Sequence, residues 1–378
     1  MSNTLAAADR GPLLVRGGAL DALRFAAAFF IVLYHYAENA PVSLFELHPA
    51  FSRGYLGTNF FLMLSGFVLA GAYGLRIGSG ALGALQFLRR RIERVWPAHL
   101  AMLAAFIGLY FAASATGAPI RNPQWFDWSE LPQQVFLVQS WGFFPGRSGW
   151  NIVTWTLSAL ILCYAMFPFA WRAFERLGAA WRGLLAALLL FAAADVFSHL
   201  VLGFPVYQMP LRWGVVRALP LFLLGVALAR VAAELRMPRR AALAATLVSL
   251  AGLIGLQLWG EHNYLSLLLI GAVMTFATVW RGPYSRLVKD GAAISLSLFI
   301  TNYFFGVVWF GAQRVLEAKL GLSTPVMWAI WALALPAALA FAWLFHHAVD
   351  QPSQRLIKRL HGRTAGRTAV PAPAPASA

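Results

Sequence analysis

Three ionisable residues interrupt the first strongly apolar stretch of the chain: Asp21, Arg24 and His35. Ionisable groups are costly inside hydrocarbon, so they are the first place to look for function. The eleven positions from Arg24 to His35 make about three helical turns, which puts both on one face, roughly 16 Å apart along the axis. Asp21 stands one turn before Arg24 and can hold it by an ion pair. Imidazole is the side chain best suited to take and return a proton near neutrality. Spacing alone also allows a plainer reading, with Arg24 snorkelling to one surface and His35 resting at the other. A second group, Arg89, Arg90, Arg91 and Arg94, is dense enough to grip phosphates through bidentate forks, or to anchor lipid headgroups. A third, Asp195 and His199, has the i,i+4 spacing of a carboxylate that orients an imidazole, or of two groups that merely satisfy each other. Cys163 is the single cysteine, which excludes internal disulfides and any multi-cysteine metal site. No metal site is expected, and no zinc-protease, nucleotide-loop or serine-elbow motif stands in a supporting context.

The elements that must position these residues are membrane helices. Sixty per cent of the 378 residues are apolar and 12% are charged, a balance foreign to soluble domains. The apolar blocks run roughly 16 to 20 residues, close to what a helix needs to cross hydrocarbon. They predict an all-α, polytopic bundle of about ten helices over 20–36, 58–73, 97–113, 152–171, 184–202, 214–229, 241–259, 265–280, 292–310 and 326–345. The stretch from Ser114 to Trp150 is long, and its middle, Leu131–Trp141, is apolar enough to lie at the interface or dip back into the bilayer. Gln86–Arg94 reads as a short amphipathic helix within a loop spanning Gly74–Trp96. A segment 1–16 precedes the membrane domain 17–360, and 361–378 ends in a Pro/Ala-rich tail, Ala369–Ala378, expected to be disordered.

A net charge of +16 invites a nucleic-acid partner, but the placement of charge argues against one. With the N-terminus inside, 22 of the 30 basic residues fall on the inner side. Seven fall at or near the outer side, including Arg53, Arg212 and Arg217, and Arg24 lies within the first span. That asymmetry is the positive-inside rule, so it predicts both termini in the cytoplasm.

Several local sequences resemble the membrane acyltransferase family 3. Leu20-Asp-Ala-Leu-Arg24, followed by an apolar run to Tyr34-His35, is similar to its opening motif. Gly57-Thr-Asn-Phe-Phe-Leu-Met-Leu-Ser65-Gly66-Phe67 resembles its second-span signature. Phe87–Pro97 resembles its arginine-rich loop, with the R-x-x-R carried by Arg91 and Arg94. Gln139-Ser-Trp141 and Trp155-Thr-Leu-Ser158 match its middle motifs; Ser295–Asn302 and Val349-Asp350-Gln351-Pro352 match the late ones more loosely. Together they cover residues 17–360 in the family's order.

The resemblance implies transfer of an acyl group, usually acetyl, from cytoplasmic acyl-CoA to a hydroxyl of a saccharide or lipid-linked saccharide. The setting it implies is a bacterial inner membrane. His35 would be base or acyl relay, oriented with help from Asp21, while Arg24, Arg91, Arg94 and Ser65 would contact the CoA moiety. Two positions depart from the pattern. Leu160 stands where an acidic residue is usual, and Asn302 where the late motif normally ends in His. Two other classes remain at this point: a flippase or transporter of a lipid-linked saccharide, and a non-catalytic copy of the fold.

Overall fold

The computed structural model describes residues 12–15, 17–117, 120, 122–143, 149–208 and 211–367, with side chains to residue 361. Arg10, Arg16, Arg121, Arg147 and the tail Ala369–Ala378 lie outside the described residues, as do the side chains of Arg363 and Arg367.

Each apolar block forms a helix, and among the described residues ten are long and apolar enough to span a membrane. They are α1 (Gly18–Ala37), α2 (Tyr55–Gly78), α3 (Ala84–Thr116), α4 (Trp155–Arg176), α5 (Ala180–Phe197), α6 (Gly214–Glu234), α7 (Arg239–Trp259), α8 (Asn263–Trp280), α9 (Arg286–Leu320) and α10 (Thr324–Phe345). A π-turn at His346–Asp350 carries α10 into a final polar helix, Gln351–Arg367. Backbone polar groups cannot be left open in lipid, so a chain this apolar has little alternative to helices.

Burial separates a centre from a periphery. The membrane-length window of the α6 span is 67% buried, against 11% for that of α5, so α6 sits inside the bundle with α2 and α4 around it. The α2–α6 contact explains a motif. A Cβ at Gly66 would lie 1.9 Å from the Phe222 carbonyl, and one at Gly225 would lie 1.9 Å from that of Met63. Each glycine accepts the other helix's backbone, the close approach that small residues permit in membranes.

The helices run between two ends. One carries Arg91 and Arg94 of α3, the 281–292 segment and Asp350, tied together by bonds such as Arg94–Asp350 and Arg24–Ala292; this is the basic end. At the opposite end Arg53 bonds the Gln257 carbonyl and Tyr264 bonds Asp195.

Two expectations change in detail. Gln86–Arg94 is not a separate helix in a loop: it forms the first turns of α3, and only residues 79–83 connect α2 to α3. Phe87 drives this, because it is buried between Tyr73 and Phe167 at 5.5 and 5.2 Å between ring centroids, which seats those turns in the bundle. The Leu131–Trp141 stretch does not stand apart as a loop but packs back against α3. Its short helix, Leu131–Phe136, meets the middle of α3, where Trp96 Nε1 donates to the Val135 carbonyl at 2.7 Å and His99 Nε2 to that of Gln134 at 2.7 Å. Trp96 lies about 30 Å along the helix from its Thr116 end.

Candidate active site

The first span packs along α9. His35 is half-buried near the opposite end of α1. Its Nδ1 faces Asn302 Oδ1 at 2.6 Å. The Asn302 amide nitrogen donates to the carbonyls of Phe299, at 2.6 Å, and Leu298, at 3.3 Å. Those carbonyls can only accept, which turns the Asn302 oxygen toward the imidazole. The oxygen can only accept as well, so Nδ1 carries the proton and the lone pair of neutral His35 sits on Nε2. Nε2 makes no hydrogen bond among the described residues. The neighbouring Tyr36 hydroxyl donates to the Asn302 carbonyl at 3.0 Å, which fixes α1 against α9 at this level.

Asp21 does not orient His35. It is buried at the basic end, 3.3 Å from Arg24 Nη2, and the fourteen positions from it to His35 amount to about 21 Å of helix. The pairing of Asp21 with Arg24 is the one its spacing predicts. Arg24 Nη2 also donates to the Ala292 carbonyl at 2.8 Å.

The remaining arginines divide sharply. Arg94 forks onto Asp350 at 2.6 and 3.2 Å, and the buried Asp350 also faces His346 Nδ1 at 3.1 Å. Its charge is answered within the chain. Arg91 donates to the Tyr73 hydroxyl at 2.8 Å and lies over that ring at 4.8 Å, while its buried Nε has no partner among the described residues. Arg91 therefore keeps binding capacity that Arg94 has largely spent. Ser65 donates to the Phe61 carbonyl one turn back at 2.8 Å, and Tyr164 stands beside it within electrostatic reach of Arg91 and Arg94. These groups make a polar seam between α2, α3 and α4.

The middle motifs bind each other. Trp141 Nε1 donates to the Ser158 carbonyl at 3.0 Å, and the Ser140 amide donates to Ser158 Oγ at 3.1 Å. Asn151 reaches α9 through the Ile300 carbonyl at 3.1 Å, two residues before Asn302. Leu160 is buried in the main apolar core. Asp195 and His199 stand 3.9 Å apart, and Asp195 is taken by the Val206 amide and the Tyr264 hydroxyl.

Sequence reasoning missed three partners: Asn302 as the residue that orients His35, Asp350 as the counter-charge of Arg94, and a buried Arg217 on α6. The last had a legible signal, an arginine inside a predicted span. Its Nε donates to Asn59 Oδ1 at 2.8 Å and its Nη2 to the Tyr55 carbonyl at 2.9 Å, and it lies 5.2 Å over the Trp155 ring.

Fold and site together define a polytopic, all-α membrane protein with an oriented, half-buried imidazole in the bundle and arginines toward both ends. The family model for the acyltransferase domain matches residues 18–347, and the chain belongs to this acyltransferase 3 family. It is similar to acyltransferase MdmB of Streptomyces mycarofaciens, 30% identical over 168 residues, which is 43% of this chain and 41% of that protein. It is also similar to protein 2 in the picA locus of Rhizobium radiobacter, 38% identical over 100 residues, 26% of this chain and 49% of that one. The matches thus span about half or less of these curated relatives. No solved structure matches the chain significantly.

Proposed function

We propose that the protein transfers an acyl group, acetyl in the simplest case, from cytoplasmic acyl-CoA to a hydroxyl of an envelope or exported saccharide. The observation that carries this reading is the His35–Asn302 pair, which leaves a basic nitrogen inside the bundle. His35 Nε2 takes the acceptor hydroxyl proton as the oxygen attacks the thioester carbonyl. Collapse of the tetrahedral intermediate breaks the C–S bond, and the imidazolium returns its proton to the departing thiolate. The acyl group ends as an ester and CoA leaves as the thiol.

The donor's phosphates are assigned to Arg91 and Arg24 at the basic end, with Ser65 along the path and Arg94 holding α3 in place through Asp350. Asn302 replaces the imidazole usual in the family and performs the one task needed there, accepting from Nδ1. That favours an active enzyme over a silent copy. Membership in an acyltransferase family weighs against a flippase.

The test is transfer of labelled acetyl from acetyl-CoA to a purified saccharide acceptor. His35→Ala is expected to lower the rate by at least about a hundredfold, the usual worth of a general base, while acetyl-CoA binding stays near wild type. Undiminished transfer in that variant would overturn the assignment. Sidedness is tested separately in a Cys163→Ser background. Cysteines at Ser79 and Ser353 should resist an impermeant thiol reagent in intact cells, and cysteines at Ser43 and Ser323 should react; the reverse pattern inverts the topology.

A further inference from the structure

At the opposite end of the bundle an open pocket of about 530 Å³ is lined by Ser52, Arg53, Tyr55, Gln208, Arg217 and Glu261. That volume is in the range of small-molecule sites. Its floor is unusual for a membrane protein. Arg53 and Arg217 are both buried, and neither has a carboxylate within 4 Å among the described residues. Arg53 is held by the carbonyls of Gln257 and Gly260, and Arg217 by Asn59 and the Tyr55 carbonyl. Neutral oxygens orient a guanidinium without cancelling its charge, and a buried charge with no counter-ion beside it is costly to keep. Beneath them Asn59 is fully buried, and its amide nitrogen has no partner among the described residues. The one anion on the rim among the described residues, Glu261, is held by the amides of Asn263, at 2.7 Å, and Gln208, at 3.0 Å, and by the Tyr55 hydroxyl, at 3.1 Å. These bonds, the Asn263 one foremost, keep its carboxyl below the usual range, so it is ionised at neutral pH. Two cations against one anion leave the pocket positive.

The pocket adjoins the proposed chemistry. Gly54, between Arg53 and Tyr55, is pressed against the Tyr34 ring, and Tyr34 neighbours His35 with 5.3 Å between ring centroids. Tyr55, which lines the pocket, stacks on Tyr207 with 6.4 Å between ring centroids, which fixes its ring at the pocket wall.

We propose that this pocket binds the acceptor and is built for a saccharide carrying an oxyanion, with Arg217 and Arg53 gripping the anionic group. The proposal rests on the acyltransferase reading for the word acceptor, but the binding itself does not require transfer. It is tested with purified full-length protein by equilibrium dialysis of labelled glucose 1-phosphate, glucuronate and glucose. At least one charged sugar should bind roughly tenfold or more tightly than glucose, the worth of a hydrogen bond to a charged group. Which one does so distinguishes phosphate from carboxylate as the anion. Competition by inorganic phosphate alone shows whether the sugar contributes. Arg217→Gln should remove the preference and leave acetyl-CoA binding unchanged. Glu261→Gln, on the exposed rim, should tighten binding of the charged sugar severalfold by removing the opposing charge. Equal binding of glucose and both charged sugars, or weaker binding in Glu261→Gln, would overturn the proposal. Charged-sugar binding that persists alongside failed acetyl transfer would instead sink the catalytic reading and keep the site.

Discussion

The two ends of the bundle both hold arginine in the protein, half-buried at one and buried at the other, and they treat it in opposite ways. At the basic end Arg94 meets Asp350 in a bidentate pair, with His346 closing the other side of the carboxylate. At the opposite end Arg53 and Arg217 hydrogen-bond to carbonyl and amide oxygens, Arg217 also lies over the Trp155 ring, and neither has a carboxylate within 4 Å among the described residues. The first arrangement is complete in itself and holds α3 to the end of α10. The second is oriented but left charged, which is what a site for an anion requires. The number of arginines is therefore a poor guide to binding; their partners decide it. Arg91, with an unpartnered Nε, belongs with the second kind although it lies in the same turns as Arg94.

The largest expected effect breaks this comparison at the basic end. Asp350→Ala leaves Arg94 without its counter-charge. The cost should be about 3 kcal/mol, at the low end for a broken buried pair because the Arg94 side chain is 36% exposed. Thermal unfolding in detergent reads this directly. Removing both charges, as Arg94→Gln with Asp350→Asn, should recover most of the loss, since no naked charge remains. If Arg94 were instead a donor ligand of the kind the sequence suggested, the double variant would regain stability and lose acetyl-CoA affinity. Retained affinity confirms the pair as a strut.

How much of this was legible in the sequence depends on the range of the interaction. Hydropathy is local, so the ten spans could be placed, and the structure keeps all ten and lengthens most of them. The Arg24–Asp21 pair is likewise one turn apart and was readable. Gln86–Arg94 was legible as helical, but its continuity with α3 depends on Phe87 finding Tyr73 and Phe167. The partners of His35, Arg94 and Arg217 lie 267, 256 and 158 positions away, and nothing in one sequence ties such residues together. Asn302 shows the consequence. By pattern it was a departure that put activity in doubt, whereas in space it is the acceptor that sets the His35 tautomer. Arg217 was the avoidable omission: it was counted as an outer-side charge although it falls inside a predicted span.

The next effect sharpens the comparison at the residue between the two ends. Asn302→Leu removes the acceptor for Nδ1 and frees the imidazole to rotate or change tautomer. We expect kcat for transfer to fall about tenfold to a hundredfold, with KM for both substrates unchanged. Asn302→His should retain more activity than Asn302→Leu, because a ring nitrogen can also accept from Nδ1. Equal activity in both variants would mean that His35 is oriented by something other than residue 302.

The smallest effect is expected for the remaining carboxylate–imidazole pair, and its size is informative. Asp195 and His199 have the spacing of a catalytic dyad, but the 3.9 Å between them is too long for a hydrogen bond. The carboxylate is already occupied, accepting from the Val206 amide at 2.9 Å and from the Tyr264 hydroxyl at 2.7 Å. It thereby ties the end of α5 to the following turn and to α8. His199 is half-exposed and holds nothing else in place. His199→Ala should therefore change stability by less than about 0.5 kcal/mol, the usual range for surface substitutions, and leave transfer at wild-type rate. Asp195→Ala should lower stability by about 1 kcal/mol, chiefly through the part-buried Val206 amide it leaves unsatisfied, with kcat unchanged in the folded fraction. A fall in kcat for His199→Ala comparable to that for His35→Ala would move the chemistry to α5 and leave the oriented imidazole of α1 without a task.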